Sequence, residues 1–391
     1  MNRLDELIKK FCPDGVDFEK IKDVYKRLKG TPITAGKMKE IEKPNGEIRI
    51  FAGGKTVINS IESDIPKANI TRVPSVLIQS RGVIDVIYYD NPFTFKNEMW
   101  AYTHKDRIAV KYLYYVLKSK LQYLREAASG MGALPQISLA VTETLEIPFP
   151  PLPVQREIVR ILDNFTELTA ELTAELTAEL TARKKQYEYY QNILLTCDGF
   201  NIEPVDKKLG KEIQWLTLGE VCTLKAGKTI SSTEIFHEPF GKYQYPCFGG
   251  NGLRGYVKSY NQEGNFSLIG RQGALCGNVC YASGKFYATE HAVVVEPKGK
   301  CDERFLYYIL IAANLNQYKT AGAQPGLSVA KLEKVLVLIP SMSAQKRIVD
   351  ILDRFDALCN DITIGLPAEI EARQKQYEYY RDKLLSFKEK K

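Results

Sequence analysis

Residues 155–190 read QREIVRILDNFTELTAELTAELTAELTARKKQYEYY, and this stretch returns 190 residues later. Gln155 to Phe165 (QREIVRILDNF) matches Gln345 to Phe355 (QKRIVDILDRF) at 7 of 11 positions. Ala178 to Tyr190 (AELTARKKQYEYY) matches Ala368 to Tyr380 (AEIEARQKQYEYY) at 10 of 13. A single fixed offset across two segments marks an internal duplication. Ile158, Ile161, Leu162, Phe165, Leu168, Leu172, Leu176 and Leu180 recur every three or four residues, the period of one helix face. From Gln155 to Leu195 there is no Gly or Pro, so the spacing predicts one uninterrupted helix of roughly 60 Å. A helix that long with one apolar stripe needs a partner helix. The second copy supplies it through Ile348, Ile351, Leu352, Phe355 and Leu358. Gly365-Leu366-Pro367 interrupts that copy and suggests one helix ending near Ile364 and another starting with Pro367 in its first turn, a kink being the alternative.

Thr169 to Leu180 is TAELTAELTAEL. A four-residue unit turns about 400°, so successive leucines are displaced by about 40° and the stripe winds round the helix. Each unit lengthens the helix by about 6 Å and rotates the residues beyond it by about 40°, close to the angular step between base pairs in B-form DNA. The run therefore reads as a helical spacer that can serve as a ruler.

The chain has 391 residues, 45% hydrophobic and 26% charged, with a formal net charge of +7. That excludes a disordered chain, a collagen and a small disulfide scaffold. No apolar run approaches the ~20 residues of a spanning helix, and Met1 to Phe11 lacks an apolar signal core. The eight scattered cysteines read as reduced, so a cytoplasmic location is expected. Net charge is +5 over residues 1–150, −3 over 151–200, +4 over 201–340 and +1 over 341–391. Two basic blocks separated by an acidic one suit a polyanion partner.

The second long block holds short β-like runs punctuated by glycine (Glu220 to Lys225, Phe266 to Ile269, Phe286 to Ala288, His291 to Glu296), and each long block has one apolar helix, at Tyr112 to Leu117 and Glu303 to Tyr318. The expected fold class is α+β: two α/β domains separated by two long helices packed as an antiparallel coiled coil, with internal pseudo-two-fold symmetry. The expected boundaries are 1–150, 151–197, 198–340 and 341–391, with proline runs at Ile147 to Pro153 and Ile339 to Met342 marking two of them.

Catalytic signals are few. Gly53-Gly54-Lys55-Thr56 and Gly227-Lys228-Thr229 imitate the end of a phosphate-binding loop, but Arg49 and Cys222 stand where its first glycine belongs. Asn91-Pro92-Phe93 matches the start of an adenine-methyltransferase motif without its second proline. Cys276 and Cys280 have no second pair to complete a zinc site. His104 and His291 read as structural histidines.

The proline lead-ins, the Q-x-x-I-V-x-I-L-D signature, the TAEL run, the QKQYEYYRDKLL ending at Gln374 to Leu385 and the duplication together resemble the specificity subunit of type I restriction–modification enzymes. The likeness spans the chain and is most specific in the two short segments. GRQG at Gly270 to Gly273 and ATEHA at Ala288 to Ala292 extend it in outline into the second long block. The resemblance implies a non-catalytic subunit whose two target-recognition domains each read half of a split, asymmetric double-stranded DNA target. Its conserved helices would set the gap between the halves, through Leu168, Leu172, Leu176, Leu180, Ile348, Ile351, Leu352 and Phe355. It implies partners, two methyltransferase subunits and restriction subunits, that carry S-adenosylmethionine, ATP and Mg, and no cofactor, metal or membrane contact in this chain. Lys and Arg would meet phosphates, and Arg, Lys, Gln and Asn would meet base edges. The candidates are Lys37, Lys39, Arg49, Lys55, Arg72, Gln79 and Arg81 in the first block. In the second they are Lys228, Lys242, Asn251, Arg254, Lys258, Arg271 and Gln272. Arg81 and Arg271 stand out because they lie 190 residues apart, each near glycine. The competing readings are a coiled-coil scaffold without DNA specificity and a cryptic adenine methyltransferase.

Overall fold

The computed structural model describes residues 3–54, 56–128, 135–195, 213–273, 275–320, 325–361 and 364–390. The chain folds as two compact units, Met1–Glu175 with Ile370–Lys391, and Leu176–Glu369. The division falls inside the TAEL helix, so neither unit is a plain stretch of sequence. Each takes part of the first matched segment and part of the second.

The TAEL segment is one α-helix, Leu152–Leu194, of 43 residues. Pro153 sits in its first turn, where a missing N–H costs nothing, and the Ala, Glu and Leu beyond it are strong helix formers. The second matched segment forms two helices, Met342–Asn360 and Leu366–Leu384. The entry to the second of these helices leaves no room for a side chain at position 365. A Cβ on Gly365 would lie 2.6 Å from the carbonyl oxygens of both Ala357 and Asp361. The first helix stops four residues short of Ile364, with Asp361 as its C-cap.

In the first unit the antiparallel strand order is Lys26–Leu28, Trp100–Thr103, Ser75–Gln79, Asp85–Tyr89. The helix Arg107–Ser119 covers this sheet, burying Tyr112, Leu113 and Val116 with Val76, Ile78 and Tyr102. The same core takes in Val154, Ile158 and Leu162 of the long helix and Leu385 of the C-terminal segment. A smaller three-stranded sheet, Val57–Ser60, Ile48–Phe51, Phe93–Phe95, sits over its own apolar cluster. Lys388 and Lys390 clip the N-terminal segment through backbone bonds on either side of Val16, at 2.9 and 3.0 Å.

In the second unit the six-stranded order is Cys222–Ala226, Ala292–Pro297, Gln262–Gly270, Val279–Ala288, Tyr245–Gly249, Gly252–Val257. The helix Glu303–Ala312 covers it, and Leu194, Leu195, Ile348 and Leu352 close that core.

The duplication is visible contact by contact. In the first unit Phe165 meets Tyr380, and in the second Phe355 meets Tyr190, at centroid separations of 6.0 and 5.4 Å. In the first unit the next contact is Thr166 with Tyr377, at 3.0 Å, one residue forward on one helix and three back on the other, so that pairing runs antiparallel. Asp163 takes an ion pair from Lys111 at 3.0 Å and a hydrogen bond from the Tyr115 hydroxyl. Asp353 takes the same two contacts from Arg304, at 2.7 Å, and the Tyr308 hydroxyl. Gln155 and Gln345 each donate to a proline carbonyl five residues upstream.

Two expected packing residues are corrected. Leu168 is 61% exposed and Ile351 is 39% exposed, whereas Leu176, Ile348 and Leu352 are buried. Leu172, Leu180 and Phe355 are half-buried. The drift of about 40° per tetrapeptide carries some leucines off the packed face, as the four-residue period requires.

Candidate nucleic-acid interface

In the second unit three loops converge on an open cavity of about 700 Å³. It is lined by Gly249–Arg254, Gln272, Gly273, Leu275, His291, Pro325 and Gly326. The site brings Asn251, Arg254 and Gln272 together. All three are exposed, and Asn251 accepts a hydrogen bond from the Asn278 amide at 3.3 Å. The backbone can converge this closely because glycines line the approach. A Cβ on Gly270 would lie 1.8 Å from the Gly250 carbonyl oxygen. The buried side-chain atoms Arg271 Nε, Thr289 Oγ1 and Glu290 Oε2 have no hydrogen-bond partner among the described residues. His291 lines this cavity and approaches Glu290 at 3.4 Å, so it belongs to the site and not to the core.

A second cluster lies on the same unit. Phe236, Phe240 and Tyr243 pack together with centroids 4.2–5.0 Å apart, Phe240 stacked on Tyr243 and Phe236 edge-on to Phe240. Lys242 and Lys258 both sit over the Tyr243 ring, at 6.0 and 5.2 Å. Lys285 lies 4.8 Å over Tyr260. The sequence flagged the two lysines but not the rings. The signal was there in the aromatic interleaving of residues 236–260, since a cation above an aromatic face is held by the ring quadrupole. Lys228 is exposed, with its backbone bridged to Thr289.

In the first unit Arg49 projects from an exposed position of its strand and lies 5.9 Å over both Phe51 and Tyr89. Lys37 and Lys39 stand on the short helix Ala35–Glu40, where Lys37 pairs with Glu40 at 2.6 Å. Arg72 pairs with Glu62 at 2.5 Å. Exposed pairs of this kind are worth only about 0.2–1 kcal/mol, so a phosphate can displace the carboxylate. Lys55 lies outside the described residues. Gln79 is corrected as a reader. It closes a strand buried at every position and is itself only 6% exposed. Arg81 is exposed at the end of that strand. Nearby, burial raises the Glu98 carboxyl. Lys96, the Gly53 amide and Arg81 more than offset this and hold it below the usual carboxylate range.

Sheet register corrects one more expectation. The central strands end at Gln79 and Gly270. The carbonyl of the next residue, Ser80 or Arg271, accepts from Ile137 N (3.0 Å) or Leu327 N (2.8 Å). Gly82 N and Gly273 N then donate to Pro135 O (2.9 Å) and Pro325 O (3.1 Å). The equivalent pairs are therefore Ser80 with Arg271 and Arg81 with Gln272, an offset of 191. Arg271 takes the place of a fully buried serine and is half-buried.

The described glycines of the phosphate-loop imitations are already occupied or closed in. Gly53 N donates to the Glu98 carboxylate at 3.0 Å, and a Cβ on Gly227 would meet two carbonyl oxygens at 2.3 Å. Phe93 of the Asn91-Pro92-Phe93 motif is fully buried. Burial pushes the Cys222 and Cys301 thiols up to about 12, and Cys247 and Cys280 up to about 11, away from nucleophilic thiolate. His104 packs edge-on against Tyr25 and Phe149, a structural histidine as expected. Among the described residues no group of three His, Cys, Asp or Glu could hold a metal ion, and no helix is long and apolar enough to cross a membrane.

Comparison with known proteins agrees with this architecture. The type I restriction modification DNA specificity domain matches residues 13–182 and again 210–372. The EcoprrI type I specificity subunit of Escherichia coli is 44% identical over 268 residues, 67% of this chain and 64% of its own length. The EcoR124I/EcoR124II specificity subunit of Escherichia coli is 35% identical over 308 residues, 72% of each chain. The crystal structure of the type I restriction–modification S subunit from M. genitalium shares the fold, with a TM-score of 0.53 at 21% identity over 95% of this chain and 96% of that one. The chain belongs to the family of type I restriction–modification DNA specificity subunits.

Proposed function

We propose that this chain reads a two-part, asymmetric double-stranded DNA target, one part with each unit, and positions methyltransferase and restriction subunits on it. One observation carries the reading. The same framework is built twice, down to the paired Asp163 and Asp353 clasps, yet it presents different side chains at its exposed loop ends. A duplicated frame with unlike readers suits an unlike pair of half-sites. Arg49 over its rings, the Lys242–Tyr243–Lys258 cluster and the cavity bearing Asn251, Arg254 and Gln272 supply phosphate contacts and base-edge donors and acceptors. The TAEL helix is the spacer. The chain itself carries no catalytic step. S-adenosylmethionine, ATP and Mg belong to the partner subunits, a division that the buried thiols and filled glycine turns of this chain support, and the cysteines suit a cytoplasmic setting.

The test is binding of the full chain to a random duplex pool at low salt, alone and with a methyltransferase subunit. Enrichment of a two-part motif, with affinity falling steeply as salt rises, supports the reading. Binding without any motif, or none at all in both settings, leaves a scaffold. Methyl transfer by the purified chain alone would make it an enzyme.

A further inference from the structure

The loop that leaves each central strand is pinned twice. In the first unit Ser80 O accepts from Ile137 N and Gly82 N donates to Pro135 O. In the second, Arg271 O accepts from Leu327 N and Gly273 N donates to Pro325 O. The residue between the pins is held by backbone on both sides, and the glycine after it takes a positive φ, +76° at Gly82 and +88° at Gly273, that a side-chain-bearing residue would resist. Isolated bridges join Arg81 to Gln136 and Gln272 to Gly326, again at matching positions. Both side chains are exposed; Arg81 feels the Glu98 carboxylate at longer range, but neither side chain forms a close ion pair or side-chain hydrogen bond among the described residues. In the second unit this residue stands on the wall of the cavity.

We infer that Arg81 and Gln272 occupy one structurally equivalent reading position and give the two units different base preferences there. Arg81 presents a guanidinium fork that matches guanine O6 and N7. Gln272 presents an amide that matches adenine N6 and N7. The rigid pedestal matters because a bidentate contact needs its direction fixed before binding. Arg271, one residue earlier, is half-buried with its Nε out of contact with solvent, so Gln272 is the more exposed of the two. The inference rests on the DNA-reading function proposed above.

The experiment compares full-length wild type, Arg81→Gln and Gln272→Arg by selection from a random duplex pool, with a thermal melt of each protein. The expected result for Arg81→Gln is a change from G to A at one position of one half-site, by about tenfold or more in relative affinity, with the other half-site unchanged. Gln272→Arg makes the reverse change in the other half-site. A wild-type motif that both variants leave unaltered overturns the inference while the proposed function stands. So does a change in both half-sites from one substitution, or a loss of all binding in a variant that melts with wild type. A wild-type pool with no motif overturns the proposed function and this inference together.

Discussion

Asp353→Ala is expected to lower the stability of the second unit by about 2 kcal/mol. The carboxylate receives Arg304 Nε at 2.7 Å and the Tyr308 hydroxyl, while Arg304 lies 4.8–5.1 Å over the rings of Tyr281, Tyr307 and Tyr308. A charge-assisted hydrogen bond is worth about 1.5–3 kcal/mol. The lower part of that range applies because the Asp353 side chain is 41% exposed and solvent screens the pair. Asp356, at 3.4 Å from the same guanidinium, recovers part of the loss. For a unit of this size about 2 kcal/mol is a fall of about 4–8 °C in melting temperature. Calorimetry of the full chain reads it as a shift of one transition. A double-mutant cycle with Tyr308→Phe should show coupling of about 1 kcal/mol, since both substitutions remove the same hydrogen bond. Additive effects, or a cost below about 0.5 kcal/mol, would refute the view that this clasp locks the helix Met342–Asn360 to the helix Glu303–Ala312.

Other consequences fall on different parts of the frame. The Glu157 carboxyl is held below its usual range by the Arg160 hydrogen bond, against burial. Its contribution is therefore present above the unfolded-state value near 4.3 and is lost as pH falls through the lowered folded-state value, and Glu157→Gln should flatten the acid limb of the first unit's stability profile. Deleting residues 386–391 removes the two backbone bonds to Val16 and the packing of Phe387, and should cost the first unit about 2–3 kcal/mol in a denaturant titration that leaves the second unit's transition in place. Gly365→Ala places a methyl group against two carbonyl oxygens and should cost about 1–3 kcal/mol by thermal melt; an unchanged melting temperature would show that the turn can widen.

The framework was legible because its signals are local and repeated. Helix spacing, prolines and the Gly365 break are all written within a few residues of where they act. The readers were legible only as a crowd of cations and amides. Arg81 and Arg271 looked equivalent by counting, but equivalence depends on the residue at which each central strand ends, and one extra residue in the second copy moved it to Gln272. Gln79 failed because its strand is covered on both faces, which alternation in its sequence does not announce. The Lys242–Tyr243–Lys258 cluster needs a sheet to bring residues 15 apart onto one ring. Leu168 failed for the opposite reason: the tetrapeptide period was plain, and its drift off the packed face is a direct result of it.

In the proposed function the long helix is the measure between two readers. Deleting Thr169 to Leu172 removes about 6 Å and about 40° from it. The motif bound by the full chain, sequenced from a random duplex pool, should then keep both half-sites and lose spacer length between them. Both half-sites retained at the original spacing would contradict it.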